Sequence, residues 1–325
     1  RHMGRTRNRL LTAALLFLLV AGTVVGATPG EIYTVGKGAF DDGLYELAKR
    51  NFRRILLEFP DYENADRAQF YLGLANYHRK DYTAAVFELS KLLKNYPESR
   101  LRAHAAYIIA ASRFATGQVV ESVGGFAALI RDYPKSEWVG DARAALGQAY
   151  LRLGRFADAT LQFELVLQNF SKHPSAPEAR FQLGKAFFRQ KEYRSALKHF
   201  NMLIHTGGNI PQIPRAIFWT GECHFWLEEY DQAESAFQNI LRNFPQGDFA
   251  PDALYRLGVI AVQRKDTGKA LKQFRSFLLR FPQSPLAPIV LHRTGLVYES
   301  LKDEARALAY FYQVFEKFPA SDNAN

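Results

Sequence analysis

The chain has 325 residues, of which 48% are hydrophobic, 23% charged and 14% aromatic. This composition excludes a disordered chain and one embedded along its whole length in a membrane, and the single cysteine excludes an internal disulfide, a cysteine-rich zinc module and an iron–sulfur cluster. The net charge of +10 is only moderately basic, because four of the arginines lie in the first ten residues, and it does not indicate a nucleic-acid partner.

The first 27 residues have the pattern of an export signal. The arginines at 5, 7 and 9 precede the apolar run Leu10–Val20, and the small residues Val25-Gly26-Ala27 follow it. Arg1-His2, before Met3, has the form of a cloning remnant. We expect cleavage after Ala27 and export to the periplasm of a Gram-negative bacterium. The alternative is a retained membrane anchor, because the apolar stretch could extend to Ala27.

The rest of the chain repeats itself with a period of 37 residues. A small residue marks one position of the period: Gly36, Gly73, Ala110, Gly147, Gly184, Gly221, Gly258 and Gly295. Twelve residues after each of these lies an alanine or, once, Ser122, and four residues later comes a phenylalanine or, once, Leu89. Such agreement between eight registers identifies a repeat array.

Each unit has the pattern of two antiparallel helices. In the second unit, apolar residues recur at helical spacing on both sides of a short polar turn at Lys80-Asp81. Small residues at Gly73 and Ala85 would let the two helices approach closely. The proline that follows the closing aromatic in most units, as in Tyr96-Pro97, ends the second helix.

The start of each unit is also marked in the sequence. A proline recurs at the first position of five units, at Pro29, Pro177, Pro214, Pro251 and Pro288, where a helix tolerates it best. Serines that follow the closing proline by two residues are predicted N-caps of the next helix. These serines are Ser99, Ser136 and Ser284.

Together these positions resemble the tetratricopeptide repeat over residues 29–319, although the common period of that family is about 34 residues. Exported bacterial families with a similar unit and junction include BamD and YbgF. The resemblance implies an all-α, right-handed superhelical solenoid of about eight helix-turn-helix repeats. It also implies that the first helices line a concave groove that binds other proteins or peptide segments.

Two units depart from the pattern. The third carries Gly124-Gly125 in its second helix, where each glycine lowers helix stability by about 1 kcal/mol relative to alanine. The fifth ends in Gly207-Gly208-Asn209, followed by two prolines, which predicts either a hinge at 207–214 or a surface loop. We therefore divide the chain into a leader (1–27), units one to five (28–208) and units six to eight with the start of a ninth (209–325). We expect the natural chain to continue past Asn325.

The residues suggest no catalysis, metal or cofactor. Ser195 and Lys198 match a Ser-x-x-Lys pattern, but they lie in an ordinary second helix. Cys223 occupies a position that holds alanine or serine in neighbouring units, so we interpret it as a packing residue. No glycine-rich phosphate loop is present, because the repeated glycines lie 37 residues apart. An enzymatic domain beyond residue 325 is the alternative.

The resemblance directs attention to two positions of each first helix, three before and four after the repeated small residue. Seven residues separate them, so both lie on one stripe of the helix, which predicts an aromatic ladder along the groove with basic residues beside it. The candidate protein-binding residues are Phe70, Tyr77, Tyr107, Phe114, Arg152, Phe181, Lys185, Phe188, Arg189, Arg215, Phe218, Phe225 and Tyr255. The alternative is that the aromatics form interhelical core.

The sequence therefore predicts a non-enzymatic scaffold of the cell envelope that binds other envelope proteins or peptide segments, in envelope assembly by resemblance. It predicts no nucleic-acid partner, and membrane contact only through an uncleaved N-terminal segment or through partners. The alternative is a structural spacer in a large envelope machine for secretion, polysaccharide export or motility.

Overall fold

The computed structural model describes residues 26–206 and 210–319, and within these ranges it contains sixteen helices and no strand. The helices are α1 (Pro29–Asp41), α2 (Tyr45–Glu58), α3 (Ala65–His78), α4 (Tyr82–Asn95), α5 (Arg102–Ala115), α6 (Val119–Asp132), α7 (Val139–Arg152), α8 (Phe156–Asn169), α9 (Ala176–Arg189), α10 (Tyr193–Thr206), α11 (Gln212–Trp226), α12 (Tyr230–Asn243), α13 (Ala250–Gln263), α14 (Thr267–Arg280), α15 (Ala287–Ser300) and α16 (Glu304–Lys317). Consecutive helices pair as eight hairpins. This confirms the predicted all-α array of about eight helix-turn-helix units.

Every hairpin turns through one residue in the left-handed conformation, with φ between 59° and 82°. These residues lie 37 apart: Gly43, Lys80, Gly117, Gly154, Lys191, Glu228, Lys265 and Lys302. In the second hairpin, the Asp81 N–H donates to the Asn76 carbonyl at 2.9 Å and the Lys80 N–H to that of Tyr77 at 2.9 Å. This is the Schellman arrangement, which satisfies carbonyls that would otherwise lack partners at the helix end.

The starts of the first helices differ in part from prediction. Pro29 is the first residue of α1, and the prolines at 177, 251 and 288 are the second residues of theirs. The prediction that serines cap the first helices was wrong. The Ser99 hydroxyl accepts a hydrogen bond from the Leu101 N–H at 3.2 Å, before α5 begins at Arg102, and Ser136 and Ser284 act in the same way. The serines stabilise the turn before the helix, because two more residues separate them from its first turn.

The repeated glycine and the repeated aromatic face each other inside six of the eight described hairpins. A Cβ atom added to Gly258 would lie 2.3 Å from Cε1 of Phe274, and one added to Gly221 would lie 2.6 Å from Cε1 of Phe237. Both phenylalanines are fully buried. The ring therefore packs directly on the backbone of the first helix. This contact explains why the repeated glycine and the repeated phenylalanine lie 16 residues apart in the sequence.

The third hairpin, where Ala110 replaces the glycine, compensates on the opposite helix. Gly125 lies opposite Ala110, and a Cβ atom added to Gly125 would lie 2.9 Å from the Ala110 Cβ. Gly124 has nothing within 4 Å of an added Cβ. Only Gly125 of the pair therefore has a packing reason, because it makes room for the methyl group of Ala110.

The contacts divide the chain into two compact units between His173 and Pro174. The first contains α1–α8, in which the first helices α1, α3, α5 and α7 contact one another in sequence. The second contains α9–α16, in which the first helices α9 and α11 contact each other. The hinge at 207–214 stays a prediction, and residues 207–209 lie outside the described residues, as do 1–25 of the leader and 320–325 of the expected ninth unit.

Candidate protein-binding surface

The predicted aromatic ladder separates into buried and accessible side chains. Phe70, Phe181 and Phe218 are only 3%, 2% and 9% exposed. Phe181 and Phe218 pack on the repeated aromatics of their own hairpins, with ring centroids 5.8 and 5.6 Å apart. These three side chains therefore lie in hairpin cores. The half-buried members are Tyr77, Tyr107, Phe114, Phe188, Phe225 and Tyr255, so the predicted ladder contributes aromatic area to the surface through these six.

Arg215 is held by the preceding first helix. Its Nη2 donates to both oxygens of Glu178 at 2.9 and 3.1 Å, and its guanidinium lies 4.0 Å from the ring centroid of Phe181. Burial raises the pKa of Glu178, but hydrogen bonds from Gln212 and Gln182 and the charge of Arg215 outweigh burial and lower it. The pair therefore joins α9 to α11, and its charges neutralise each other.

The same device recurs along the array. A basic side chain of one first helix covers an aromatic ring of the preceding one: Arg152 over Phe114 at 4.2 Å, Arg256 over Phe225 at 5.1 Å and Arg293 over Tyr255 at 5.9 Å. Arg256 also pairs with the buried Glu222 at 2.6 Å, and Arg293 donates to the Tyr255 hydroxyl at 2.9 Å. Each cation–π contact contributes about 0.5–2 kcal/mol, depending on desolvation. Many of the basic side chains along the first helices therefore make contacts between neighbouring hairpins.

Lys185 and Arg189 are the exception near the predicted aromatic residues. The Lys185 ammonium lies 5.9 Å from the Phe181 centroid and 5.5 Å from that of Trp219, and no carboxylate of the described residues is paired with it. Burial lowers the pKa of Lys185, the positive charges of Arg189 and Arg215 lower it further, and the charge of Glu178 opposes them by less. Arg189, one turn later, is exposed and likewise has no ion-pair partner among the described residues. Because Glu178 pairs with Arg215, no carboxylate of the described residues is left to pair with these two cations.

Three aromatic side chains that the sequence analysis missed lie close to this charge. Phe188 packs edge-on against Trp219 at 4.8 Å and Tyr193 at 5.3 Å. Tyr193 in turn stacks on Trp226, which is 53% exposed. Trp219, Tyr193 and Trp226 lie outside the two positions of each first helix from which binding residues were predicted. The signal available in the sequence was a tryptophan, Trp226, close to a hairpin turn.

A cavity of about 390 Å³ lies between α13 and α15, also outside the prediction. Three apolar side chains line it, Val262, Leu296 and Val297, and Lys265 and Arg293 supply two cations. Leu296 is 41% exposed at this site. The cavity suits an apolar side chain that carries or adjoins a carboxylate.

The groups singled out for possible catalysis are engaged in packing or local bonds. Burial raises the pKa of the Cys223 thiol to about 12, so the thiol is protonated and is a poor nucleophile at neutral pH. Ser195 donates to Glu192 at 3.3 Å. His224, the residue after Cys223, shares a 2.7 Å hydrogen bond with Glu229. Across residues 26–206 and 210–319, no group of three or more acidic, histidine or cysteine side chains is arranged to hold a metal ion.

In the same two ranges, none of the helices combines the length and apolar character needed to cross a membrane. The predicted signal or anchor lies outside these residues.

Comparisons with known structures show the same fold. The C-terminal part of a tetratricopeptide repeat protein from Cytophaga hutchinsonii is similar with a TM-score of 0.64 and 16% identity, over 80% of this chain and 99% of that one. A tetratricopeptide repeat protein from Parabacteroides merdae is similar with a TM-score of 0.57 and 14% identity, over 84% and 99%. PilW, a type IV pilus biogenesis factor, is similar with a TM-score of 0.55 and 17% identity, over 69% and 97%.

Comparison with protein families gives two matches. Residues 26–149 match the family described as outer membrane lipoprotein (YfiO). Residues 144–212, 221–285 and 255–322 match a tetratricopeptide repeat family, and together they make up more than half of the chain. A search of curated protein sequences finds no match. Because the repeat match, the 37-residue period and the eight hairpins agree, the chain belongs to the tetratricopeptide repeat family.

Proposed function

We propose that this chain is a protein-binding scaffold of the Gram-negative cell envelope, acting in envelope assembly and without catalytic activity. The repeat family supports the scaffold role. The match of residues 26–149 to outer membrane lipoproteins supports the location, as does the arginine-rich and apolar N-terminal sequence.

The observation that carries the proposed binding site is the unneutralised charge of Lys185 and Arg189 beside an aromatic wall. Arg215 and Arg256, on neighbouring first helices, each have a carboxylate partner, whereas these two cations have none within the described residues. Half-burial of the Lys185 ammonium costs desolvation free energy, and attraction to a bound carboxylate would offset that cost. Arg189 is exposed and would add a second attractive charge.

The ligand that fits is a segment of another protein with an apolar anchor and a carboxylate. The anchor would contact Phe188, Trp219 and Trp226, and the carboxylate, from an acidic side chain or a chain terminus, would pair with Lys185 and Arg189. Aromatic and arginine side chains dominate the binding free energy of such contacts. The charge contributes mainly to the association rate and its dependence on salt.

The test is to capture envelope proteins with the wild-type chain and with Arg189→Glu, and then to measure association rates of the purified partner. Arg242→Glu is the matched control, because Arg242 is an exposed arginine of the second helix α12 without an ion-pair partner among the described residues. We expect Arg189→Glu to slow association about tenfold at low salt, and the control to leave it unchanged.

Phe188→Ala separates binding from packing. If Phe188 is an anchor, this change weakens binding by about 2 kcal/mol while the melting temperature stays close to that of the wild type. If Phe188 is core, the melting temperature falls and partner recovery is unchanged. Recovery of the same proteins by the wild type, Arg189→Glu and the control would contradict the proposed site and would favour the structural spacer.

A further inference from the structure

A second cavity lies on the second-helix side of the seventh and eighth hairpins, between α14, α15 and α16. Its volume is about 480 Å³, and α14 lines it with Lys272, Arg275 and Arg280. Tyr298 of α15 and Tyr310 of α16 complete the wall. We call this cavity the outer basic cleft. None of its lining residues is acidic.

The three cations of the outer basic cleft have no ion-pair partner among the described residues. On the same helix, one turn before Lys272, Lys269 donates to both oxygens of Glu234 at 2.8 and 2.9 Å. Arg306, beside the cleft, pairs with Asp303 at 2.8 Å. Among the described residues, Lys269 and Arg306 near the cleft thus have carboxylate partners and the three lining cations have none. Arg280 also lies over the ring of Phe281, 5.1 Å from its centroid.

The two tyrosines add hydrogen-bond donors. Their rings stack with centroids 5.5 Å apart and an angle of 17°. Burial raises the pKa of Tyr310, with Tyr298 acting in the same sense, and the positive charges of Arg275 and Arg306 lower it by less. The Tyr310 phenol therefore keeps its proton at neutral pH and can donate to an anion.

The repeat itself does not require these cations. One hairpin earlier, in α12, the positions of Lys272, Arg275 and Arg280 hold Ser235, Gln238 and Asn243, and that helix packs in the same way. At the same positions α2 carries Arg50 and Arg53 and α10 carries Lys198, but only α14 has cations at all three. A set of three cations that the repeated pattern does not require is explained by a ligand better than by the fold.

The rim of the cleft is apolar. Leu279 lies on the same face of α14 as Arg275 and is 74% exposed. A cluster of arginine and lysine donors matches the oxygens of a phosphate, and a cavity of about 480 Å³ has room for a phosphate headgroup. An exposed leucine beside it suits a ligand with an apolar part.

We propose that the outer basic cleft binds the phosphate headgroup of an anionic phospholipid, with Leu279 against the apolar part of the lipid. Arg275, Lys272 and Arg280 would contact the phosphate oxygens, and Tyr310 would donate a further hydrogen bond. This site is separate from the proposed protein-binding surface and does not depend on it.

The test is calorimetric titration of the full chain with dihexanoyl phosphatidylglycerol below its micelle concentration. Comparison ligands are dihexanoyl phosphatidylcholine, glycerol phosphate and a hexaglutamate peptide. The test variant, Lys272→Ser with Arg275→Gln, installs the residues of α12. The control, Lys198→Ser with Arg242→Gln, removes two exposed cations from other second helices of the same unit.

We expect phosphatidylglycerol to bind, the test variant to bind it at least about tenfold more weakly, and the control to stay within about twofold of the wild type. Leu279→Ala should weaken phosphatidylglycerol binding and leave glycerol phosphate unaffected. Circular dichroism checks that all variants are folded, and the altered side chains are exposed.

Three results would overturn the proposal. Equal losses in the test variant and the control would show attraction to the net charge alone. Glycerol phosphate binding as tightly as the lipid would show a phosphate site without lipid recognition. Tighter binding of hexaglutamate than of phosphatidylglycerol would show a surface for acidic protein segments.

Discussion

The contact between the repeated glycine and the repeated aromatic gives a quantitative prediction for Gly258→Ala. An alanine Cβ at this position would lie 2.3 Å from Cε1 and 2.5 Å from Cδ1 of Phe274. Contacts under 3.0 Å are essentially never observed for real Cβ atoms. The ring cannot retreat easily, because Phe274 is fully buried between the helices of its hairpin and the next hairpin.

Two opposing effects set the magnitude. Alanine is favoured over glycine in a helix interior by about 1 kcal/mol, whereas overpacking a tight core costs about 1–3 kcal/mol. With a contact this short, overpacking outweighs helix propensity. We expect Gly258→Ala to lower the free energy of unfolding of the seventh hairpin by about 1–2 kcal/mol.

Two other glycines make the prediction a graded series. Gly124 lies within α6 with nothing within 4 Å of an added Cβ, so Gly124→Ala should stabilise its hairpin by up to about 1 kcal/mol. At Gly36 the nearest atoms, Cβ of Asn51 and Cε1 of Phe52, lie at 3.1 Å, so Gly36→Ala should be close to neutral. The three substitutions should therefore range from stabilising (Gly124→Ala) through nearly neutral (Gly36→Ala) to destabilising (Gly258→Ala).

Hydrogen exchange followed by mass spectrometry is the appropriate assay, because each hairpin of a repeat array is coupled mainly to its neighbours and local opening can be read hairpin by hairpin. Phe274→Ala supplies the control, since it removes the ring. In that background Gly258→Ala should stabilise the hairpin instead of destabilising it. If Gly258→Ala alone stabilised its hairpin as much as Gly124→Ala did, the steric reasoning would be refuted.

Three further predictions concern packing, pH and processing. Ala233 is fully buried in α12, so Ala233→Leu should overpack the core and lower the free energy of unfolding by about 1–3 kcal/mol. Hydrogen exchange should increase around hairpins five to seven, and equal increases in all eight hairpins would contradict this prediction. The ring of His104 stacks on that of Trp138, with centroids 3.7 Å apart, and burial lowers the pKa of His104 from 6.5 to about 4. The fold therefore favours the neutral imidazole, and the free energy of unfolding decreases as the pH falls from 6.5 to 4. His104→Phe should therefore show a smaller drop in melting temperature between pH 6.5 and pH 4 than the wild type does, and an equal drop would count against this assignment. Protein from the periplasm should have the intact mass of a chain that starts at Thr28. The Thr28 hydroxyl caps α1 by accepting a hydrogen bond from the Glu31 N–H at 3.3 Å. A membrane-bound species that retains residues 3–27 would contradict cleavage.

The sequence alone determined the number of hairpins, their register and the residues that pack inside each one. A glycine, an alanine and an aromatic residue at fixed spacing specify a close helix pair, because only a small residue admits the ring of Phe237 or Phe274 against the facing backbone. These contacts are local to one hairpin. Their geometry follows from helical periodicity.

The tertiary structure decided which predicted site residues are accessible. Periodicity shows that Phe181 and Phe188 share a helix face, but it does not show which neighbouring helix covers that face. Phe181 is buried beneath its own hairpin and Arg215, whereas Phe188 remains half-buried at the surface. The pairing of Arg215 with Glu178 depends on the packing of one hairpin on the next. So does the lack of such a partner for Arg189 among the described residues. No pattern within a single repeat contains that information.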